Sequence, residues 1–218
     1  MPTQQQIEDE VLFWLGQQEK EHLYFMMLGV VEPAIRNEAV RLFQAYEEAS
    51  QKRDVRTLLA LAPASQALKQ SAMQAASERW IGWLYPSLYQ HMIQEIDFAL
   101  LQTRRDLSPR EIACFWAKER SDVGIVVAKL FDPVEAQLSA QAMRYHVQLR
   151  DLYAACRRPS MGNLSANVLQ ATSALNRMLE ATDFLQIKNI IHPMLNQHEI
   201  REGQRAETTL RNAFLLPE

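Results

Sequence analysis

The segment PMLNQHEIRE at residues 193–202 decides the fold, because the chain carries nearly the same segment, PSLYQHMIQE, at residues 86–95. Aligned on their prolines, the two windows share Pro, Leu, Gln, His, Ile and Glu at the same six positions. Such a recurrence indicates an internal duplication. It predicts two structural units, residues 1–106 and 107–218, packed as one compact body.

Two further pairs of motifs recur in the same order. Phe13-Trp14 matches Phe115-Trp116 near the start of each half, and Glu32-Pro33 matches Asp132-Pro133 in the middle. The separations are 102 and 100 residues, against 107 for the histidine windows. The repeat therefore spans each half and contains small insertions.

The composition favours helices throughout. The 218 residues include only six glycines, and Ala, Leu, Gln and Glu, all good helix formers, are abundant. No alternating apolar segment is bounded by Asn-Gly or Asp-Gly turns. We predict an all-α fold of two up-and-down four-helix bundles, about eight helices in total and ferritin-like only in the loose sense. An eight-helix fold without this symmetry is the alternative. The four tryptophans are predicted to pack in the core.

Prolines and caps place the helix boundaries. Ser108, Pro109 and Glu111 together form a helix start, since serine caps, proline suits the first turn and glutamate returns the capping bond. We expect Pro63 to end a short segment at 55–61. The predicted helices cover about residues 5–31, 33–50, 64–83, 86–105, 108–132, 133–156, 164–191 and 193 onward.

Charge and cysteine content limit the function classes. The net charge is −3, with acids and bases interspersed, so the sequence shows no basic footprint for nucleic acid or an anionic membrane. No apolar run approaches the 18 residues of a membrane span, and the first residues lack an export signal. Cys114 and Cys156 are too few for a disulfide framework or a thiolate zinc cage. We expect a cytoplasmic protein with no nucleic-acid or membrane partner, and a homo-oligomer stays open.

The recurring windows carry the chemistry. His91 and Glu95 are four residues apart, as are His198 and Glu202, so each pair shares one helix face. A single pair of this kind is usually a solvated ion pair. Its recurrence behind a matching proline favours a metal site formed between the repeats.

The first helix of each half offers further ligands. On a register of 100 residues, Glu19 and His22 lie opposite Glu119 and Asp122, and Glu21 is the alternative to Glu19. A divalent ion would offset the cost of burying these carboxylates in a bundle core. Mixed imidazole and carboxylate ligands favour iron or manganese, with zinc as the competitor.

These residues also resemble a known family. Phe-Trp, then Glu21-His22, then an acid-Pro break and Pro-x-Leu-x-x-His-x-x-x-Glu are similar to the bacterial family called domain of unknown function 2935. The resemblance extends from Phe13 to Glu202. It implies tandem metalloprotein-like four-helix bundles with a dimetal centre.

The family resemblance also implies a ligand set. The family-type positions are Glu21, His22, His91, Glu95, His198 and Glu202. The second half departs from the pattern, because Asp122-Val123 stands where the family has Glu-His. A single metal ion, or a dimetal site completed by Asp122 or Glu119, fits the remaining ligands.

The sequence thus predicts a metal-binding bundle of unknown biological role, with one or two iron, manganese or zinc ions. If the protein is an enzyme, a metal-dependent oxidoreductase is the class expected, although no substrate or catalytic residue is indicated. The alternative is a metal-free scaffold or partner-binding protein with vestigial ligands.

Overall fold

The computed structural model describes residues 2–156, 163–182 and 193–214. Contacts divide the chain into two units, Met1–Asp106 (unit 1) and Leu107–Glu218 (unit 2). In the described residues each unit contains four helical rods, and Val30 pairs with Gly82 in an isolated bridge. The all-α, duplicated-bundle prediction is confirmed.

The helices follow one another in the same order in both units. Unit 1 contains α1 (Gln4–Phe13), α2 (Glu19–Gly29), α3 (Pro33–Gln51), α4 (Val55–Glu78) and α5 (Pro86–Arg104). A π-helical segment, Trp14–Gln18, joins α1 and α2 into one continuous rod. Unit 2 contains α6 (Pro109–Leu130), α7 (Ala136–Ala155), α8 (Leu164–Ala181) and α9 (Pro193–Phe214), with a 3-10 turn, Pro133–Glu135, before α7.

Local signals explain most helix starts. Pro33, Pro86 and Pro109 each lie in a first turn, where the missing N–H removes no intrahelical bond. The capping box at Ser108 is confirmed. Its hydroxyl accepts from the Glu111 N–H at 3.2 Å, and the Glu111 carboxylate accepts from the Ser108 N–H at 2.9 Å.

The predicted stop at Pro63 is wrong, because α4 runs through this proline. Pro63 is exposed, so the carbonyl that it leaves without an N–H partner can reach water. The helix ends at Glu78 rather than near residue 83. The chain then turns through Gly82, whose φ of 153° suits glycine, and a Cβ there would lie 1.9 Å from the Gly29 carbonyl oxygen.

The π-helical segment was not predicted, and it changes the register of the repeat. Trp14 and Trp116 are 102 residues apart, whereas the helix ends Gly29 and Leu130 are 101 apart. A π turn accommodates one extra residue, which accounts for the difference. Beyond this segment Glu19 therefore corresponds to Arg120.

The end of α8 also differs from the prediction. The helix ends at Ala181 because Thr182 is extended, and the predicted continuation over residues 183–191 lies outside the described residues. No helix within the described ranges is long and apolar enough to cross a membrane.

Each unit has its own tryptophan in the core. Trp14 is 2% exposed in unit 1, and Trp116 is fully buried in unit 2. The prediction was wrong for the other two, since Trp80 is 76% exposed and Trp83 is 46% exposed.

The two cysteines lie in unit 2 and form a disulfide. Cys114 on α6 bonds Cys156 at the end of α7, with 5.8 Å between their Cα atoms. The bond ties the start of one helix to the end of its neighbour.

Candidate functional site

Buried polar side chains form a connected group in the core of unit 1. They come from α2, α4 and α5, and each is buried. We call them the unit 1 cluster: Glu19, His22, Ser65, Lys69, His91 and Glu95. Four of the predicted ligands are therefore brought together within one bundle.

Glu95 lies between the two histidines of this cluster. Its Oε1 is 3.0 Å from His91 Nε2 and 3.6 Å from His22 Nε2. Donor atoms bound to one ion at about 2.0–2.2 Å lie roughly 3 to 3.4 Å apart. The carboxylate is thus spaced to share an ion with either imidazole.

Glu19 faces the other side of His22. Its Oε2 is 3.6 Å from His22 Nδ1 and accepts from the Lys69 ammonium, while its Oε1 accepts from the Ser65 hydroxyl. A carboxylate beside Nδ1 favours a proton on that nitrogen and leaves Nε2 as the ligand atom. Glu19 thereby orients His22 toward Glu95.

Lys69 is fully buried, and sequence reasoning missed it. Burial lowers the pKa of its ammonium, and the attraction of Glu19 opposes that shift. Lys69 follows Ala62 and Ser65 on the buried face of α4. That helical spacing is the signal that would have identified it.

Two tyrosines are also buried in this core. Burial raises the pKa of Tyr46 on α3 strongly, and the nearby Glu19 charge adds to the shift. Burial alone raises the pKa of Tyr89 on α5 to about 12. Both phenols therefore stay neutral over the ordinary pH range.

Two predicted ligands lie away from these buried groups. Glu21 is part-exposed on α2. Asp122 is also part-exposed and accepts a charge-assisted hydrogen bond from Lys118 one turn earlier on α6. Neither side chain is buried as Glu19 and His22 are.

Unit 2 contains a second group, formed by α9. His198, Glu199 and Glu202 each offer one donor atom, and the three atoms lie within 4.8 Å of one another. All three side chains are buried, including Glu199, which the sequence analysis did not predict as a ligand. Glu119, on α6, is fully buried.

Arg120 supplies a cation to this group, and it too was missed. Its Nη1 is 3.5 Å from Glu199 Oε2 and 3.4 Å from Glu202 Oε2. The same nitrogen donates to the Glu199 carbonyl oxygen at 3.1 Å, and Nη2 donates to Asn176 Oδ1 at 3.4 Å. We call Arg120, Asn176, His198, Glu199 and Glu202 the unit 2 cluster.

The clusters occupy equivalent positions in the two repeats. The histidine windows on α5 and α9 are 107 residues apart, and the same separation applied to α4 and α8 pairs Ser65 with Thr172 and Lys69 with Asn176, all four of which are buried. At the separation of 101 residues, Glu19 corresponds to Arg120. The buried polar layer is therefore repeated, while the cation moves from the third rod of unit 1 to the first rod of unit 2.

Gly203 allows α8 and α9 to approach next to this layer. A Cβ at this position would lie 1.9 Å from Asn176 Oδ1. The glycine directly follows Glu202, so it helps to place Asn176 against the α9 ligands.

Comparisons with known proteins support the fold. No family model matches the chain. An uncharacterized protein of Acanthamoeba polyphaga mimivirus, L567, is 23% identical over an alignment that covers 91% of this chain and 78% of the viral protein. The crystal structure of an uncharacterized protein from Bacillus cereus G9241 superposes with a TM-score of 0.87 at 14% identity, covering 98% of this chain and 92% of that one. At this identity the likeness shows the fold alone.

Proposed function

We propose that the protein binds divalent metal ions through its buried His/Glu groups. The observation that carries this proposal is the triad His198, Glu199 and Glu202, whose donor atoms lie within 4.8 Å of one another on a buried face of α9. Side-chain rotations can close that spacing to the roughly 3 Å between ligands of one ion.

Charge supports the proposal. Glu119, Glu199 and Glu202 bury three carboxylates in unit 2, and Arg120 brings one positive charge. Gathering several carboxylates in a low-dielectric core is costly, and a divalent ion beside them would reduce that cost.

Unit 1 provides a second donor set of the same type. Glu95 contacts the Nε2 atoms of both His22 and His91. Imidazole and carboxylate donors favour iron or manganese, with zinc as the competitor. The imidazoles would hold the ion, and the carboxylates would neutralise its charge.

Metal analysis of untagged protein tests this function. After growth with iron, manganese and zinc, we expect bound metal in the wild type and a loss of roughly half or more in His198→Ala. His146→Ala is the matched control, because His146 bonds Ser121 on α6 and belongs to neither cluster. A wild type that contains no metal after this growth would exclude the proposal.

A metal-free scaffold is the second candidate, and Arg120 is the observation that favours it. An arginine that already contacts Glu199 and Glu202 is a permanent counter-ion for two of the α9 carboxylates. Under this alternative, a chelator leaves the melting temperature unchanged. Under metal binding, the chelator lowers it, because a ligand of the folded state stabilises that state.

A further inference from the structure

Metal binding alone does not explain why Lys69 is buried in the unit 1 cluster. Its ammonium is fully buried, donates to Glu19 and lies 3.4 Å from the Ser65 hydroxyl oxygen. Lysine is almost never buried completely unless it is paired, because the charge loses its hydration. A position in the middle of the ligand cluster therefore requires an electrostatic reason.

The repeat indicates what that reason is. The position equivalent to Lys69 in unit 2 is Asn176, which carries no charge. There the cation is Arg120, at the position equivalent to Glu19. Within the described residues the two repeats thus bury a cation at different positions of the same polar layer. Because the cation lies at a different position in each repeat, the feature that the two layers share is a buried positive charge and not the shape of one side chain.

The contacts of Glu19 show what Lys69 does to the ligand set. Lys69 and Ser65 donate to the two different oxygens of Glu19, and Oε2 also faces His22 Nδ1. Glu95 has the Nε2 atoms of both histidines beside it instead. The two carboxylates are equally buried but differ in their surroundings.

We propose that Lys69 is an internal cation that takes the place of a metal ion at Glu19. Lys69 is then a positioning residue: it keeps Glu19 out of the coordination sphere, so that an ion in unit 1 is held by His22, His91 and Glu95 and not by Glu19. The inference rests on the proposed function. It assigns Glu19 to the orientation of His22 rather than to metal ligation.

The first test separates the two carboxylates. Glu19→Gln is expected to keep the wild-type metal content, because the glutamine side chain keeps an amide oxygen that can face His22 Nδ1 as the Glu19 carboxylate does. Glu95→Gln is the matched change and is expected to lose the unit 1 ion. If Glu19→Gln loses metal to the same extent as Glu95→Gln, Glu19 is a ligand and the inference is overturned.

The second test removes the cation. Lys69→Met leaves the Glu19 charge unbalanced, so purification with excess Mn²⁺ should give about one additional ion per chain and a melting temperature that falls on chelation. Lys69→Arg keeps the charge and should retain the wild-type content. A folded Lys69→Met with wild-type metal content contradicts the inference. Failure of Lys69→Met to fold even with Mn²⁺ also contradicts it, because a metal ion then cannot replace the lysine.

The two proposals fail in different ways. A metal-free wild type rejects the proposed function, and the inference falls with it. A metal-loaded wild type in which Glu19→Gln loses metal rejects the inference only.

Discussion

Tyr89 connects burial to a measurable pH dependence. Burial raises the pKa of Tyr89 in the folded protein to about 12, above the ordinary tyrosine value of 10.0. The unfolded chain therefore loses this proton first, and the stability contributed by the neutral phenol is complete below pH 10 and falls as the pH rises toward 12. A shift of this size corresponds to roughly 2 to 3 kcal/mol.

The prediction is tested by comparing wild type and Tyr89→Phe, both with chelator, in urea unfolding from pH 9 to 12. The difference in free energy of unfolding, wild type minus variant, should fall by roughly 2 kcal/mol over this range. Using the difference cancels the contributions of Tyr46 and Lys69, which are present in both proteins. With rising pH, the raised pKa of Tyr46 lowers the free energy of unfolding as that of Tyr89 does, and the lowered pKa of Lys69 has the opposite effect. A difference that stays constant would show that Tyr89 titrates normally in the folded protein.

At the residue scale the sequence predicted the histidines and most of the anions of the two clusters, but neither Glu199 nor the cations. His91, Glu95, His198 and Glu202 could be found because their spacing recurs. Glu19 and His22 were found on one face of the first helix. The cations of the two clusters escaped because charged side chains are expected at the surface, and their burial follows from the packing of whole helices. A partner such as Glu19 for Lys69 is 50 residues away in the chain.

At the scale of elements, the π-helical segment Trp14–Gln18 is an insertion that the helix absorbs. Deletion of Gln17, its part-exposed residue, should restore regular α-helix and leave Trp14 and Glu19 facing the core. We expect a near-wild-type helical spectrum, a melting temperature within a few degrees of wild type and unchanged metal content.

A deletion in a regular helix provides the matched control. α3 has no π turn that could absorb the deletion of Gln44. The residues that follow would therefore rotate by about 100° and shift by about 1.5 Å. Tyr46 and Ala49 would then leave the core, and large destabilisation is expected. Equal damage from the two deletions would mean that the π segment does not absorb a residue.

Element boundaries were predictable where their causes are local. Proline at a first turn and the Ser108 capping box act within a few residues, and both were predicted correctly. The predicted helix end at Pro63 was wrong because this proline is exposed and the helix continues through it. Exposure depends on tertiary packing and could not be found from the local sequence. The π turn has no local residue signature and shows itself only as a change in repeat spacing.

At the scale of the whole molecule, the repeat predicted the number and order of the rods, whereas the Cys114–Cys156 pairing depends on how α6 and α7 pack. The disulfide closes a loop with a sequence separation of 42, which constrains the unfolded chain of unit 2. Chain entropy gives an upper stabilisation of roughly 3 to 4 kcal/mol for a loop of this size.

Reduction should therefore lower the melting temperature of the oxidised protein by several degrees. Differential scanning calorimetry with and without reductant measures the change, and mass spectrometry of alkylated protein establishes the starting redox state. The Cys114→Ser/Cys156→Ser variant is the control and should not respond to reductant. If the oxidised protein melts at the same temperature with and without reductant, the disulfide does not contribute to its stability.

The placement of the tryptophans has an optical consequence. Replacing the exposed Trp80 and Trp83 with phenylalanine leaves Trp14 as the emitter of unit 1 and Trp116 as that of unit 2. Removing one of these in turn gives a protein with a single tryptophan, whose emission maximum moves to longer wavelength when its own bundle opens. The duplicated chain thus carries a built-in reporter in each half, and the order in which the halves unfold can be followed without an attached dye.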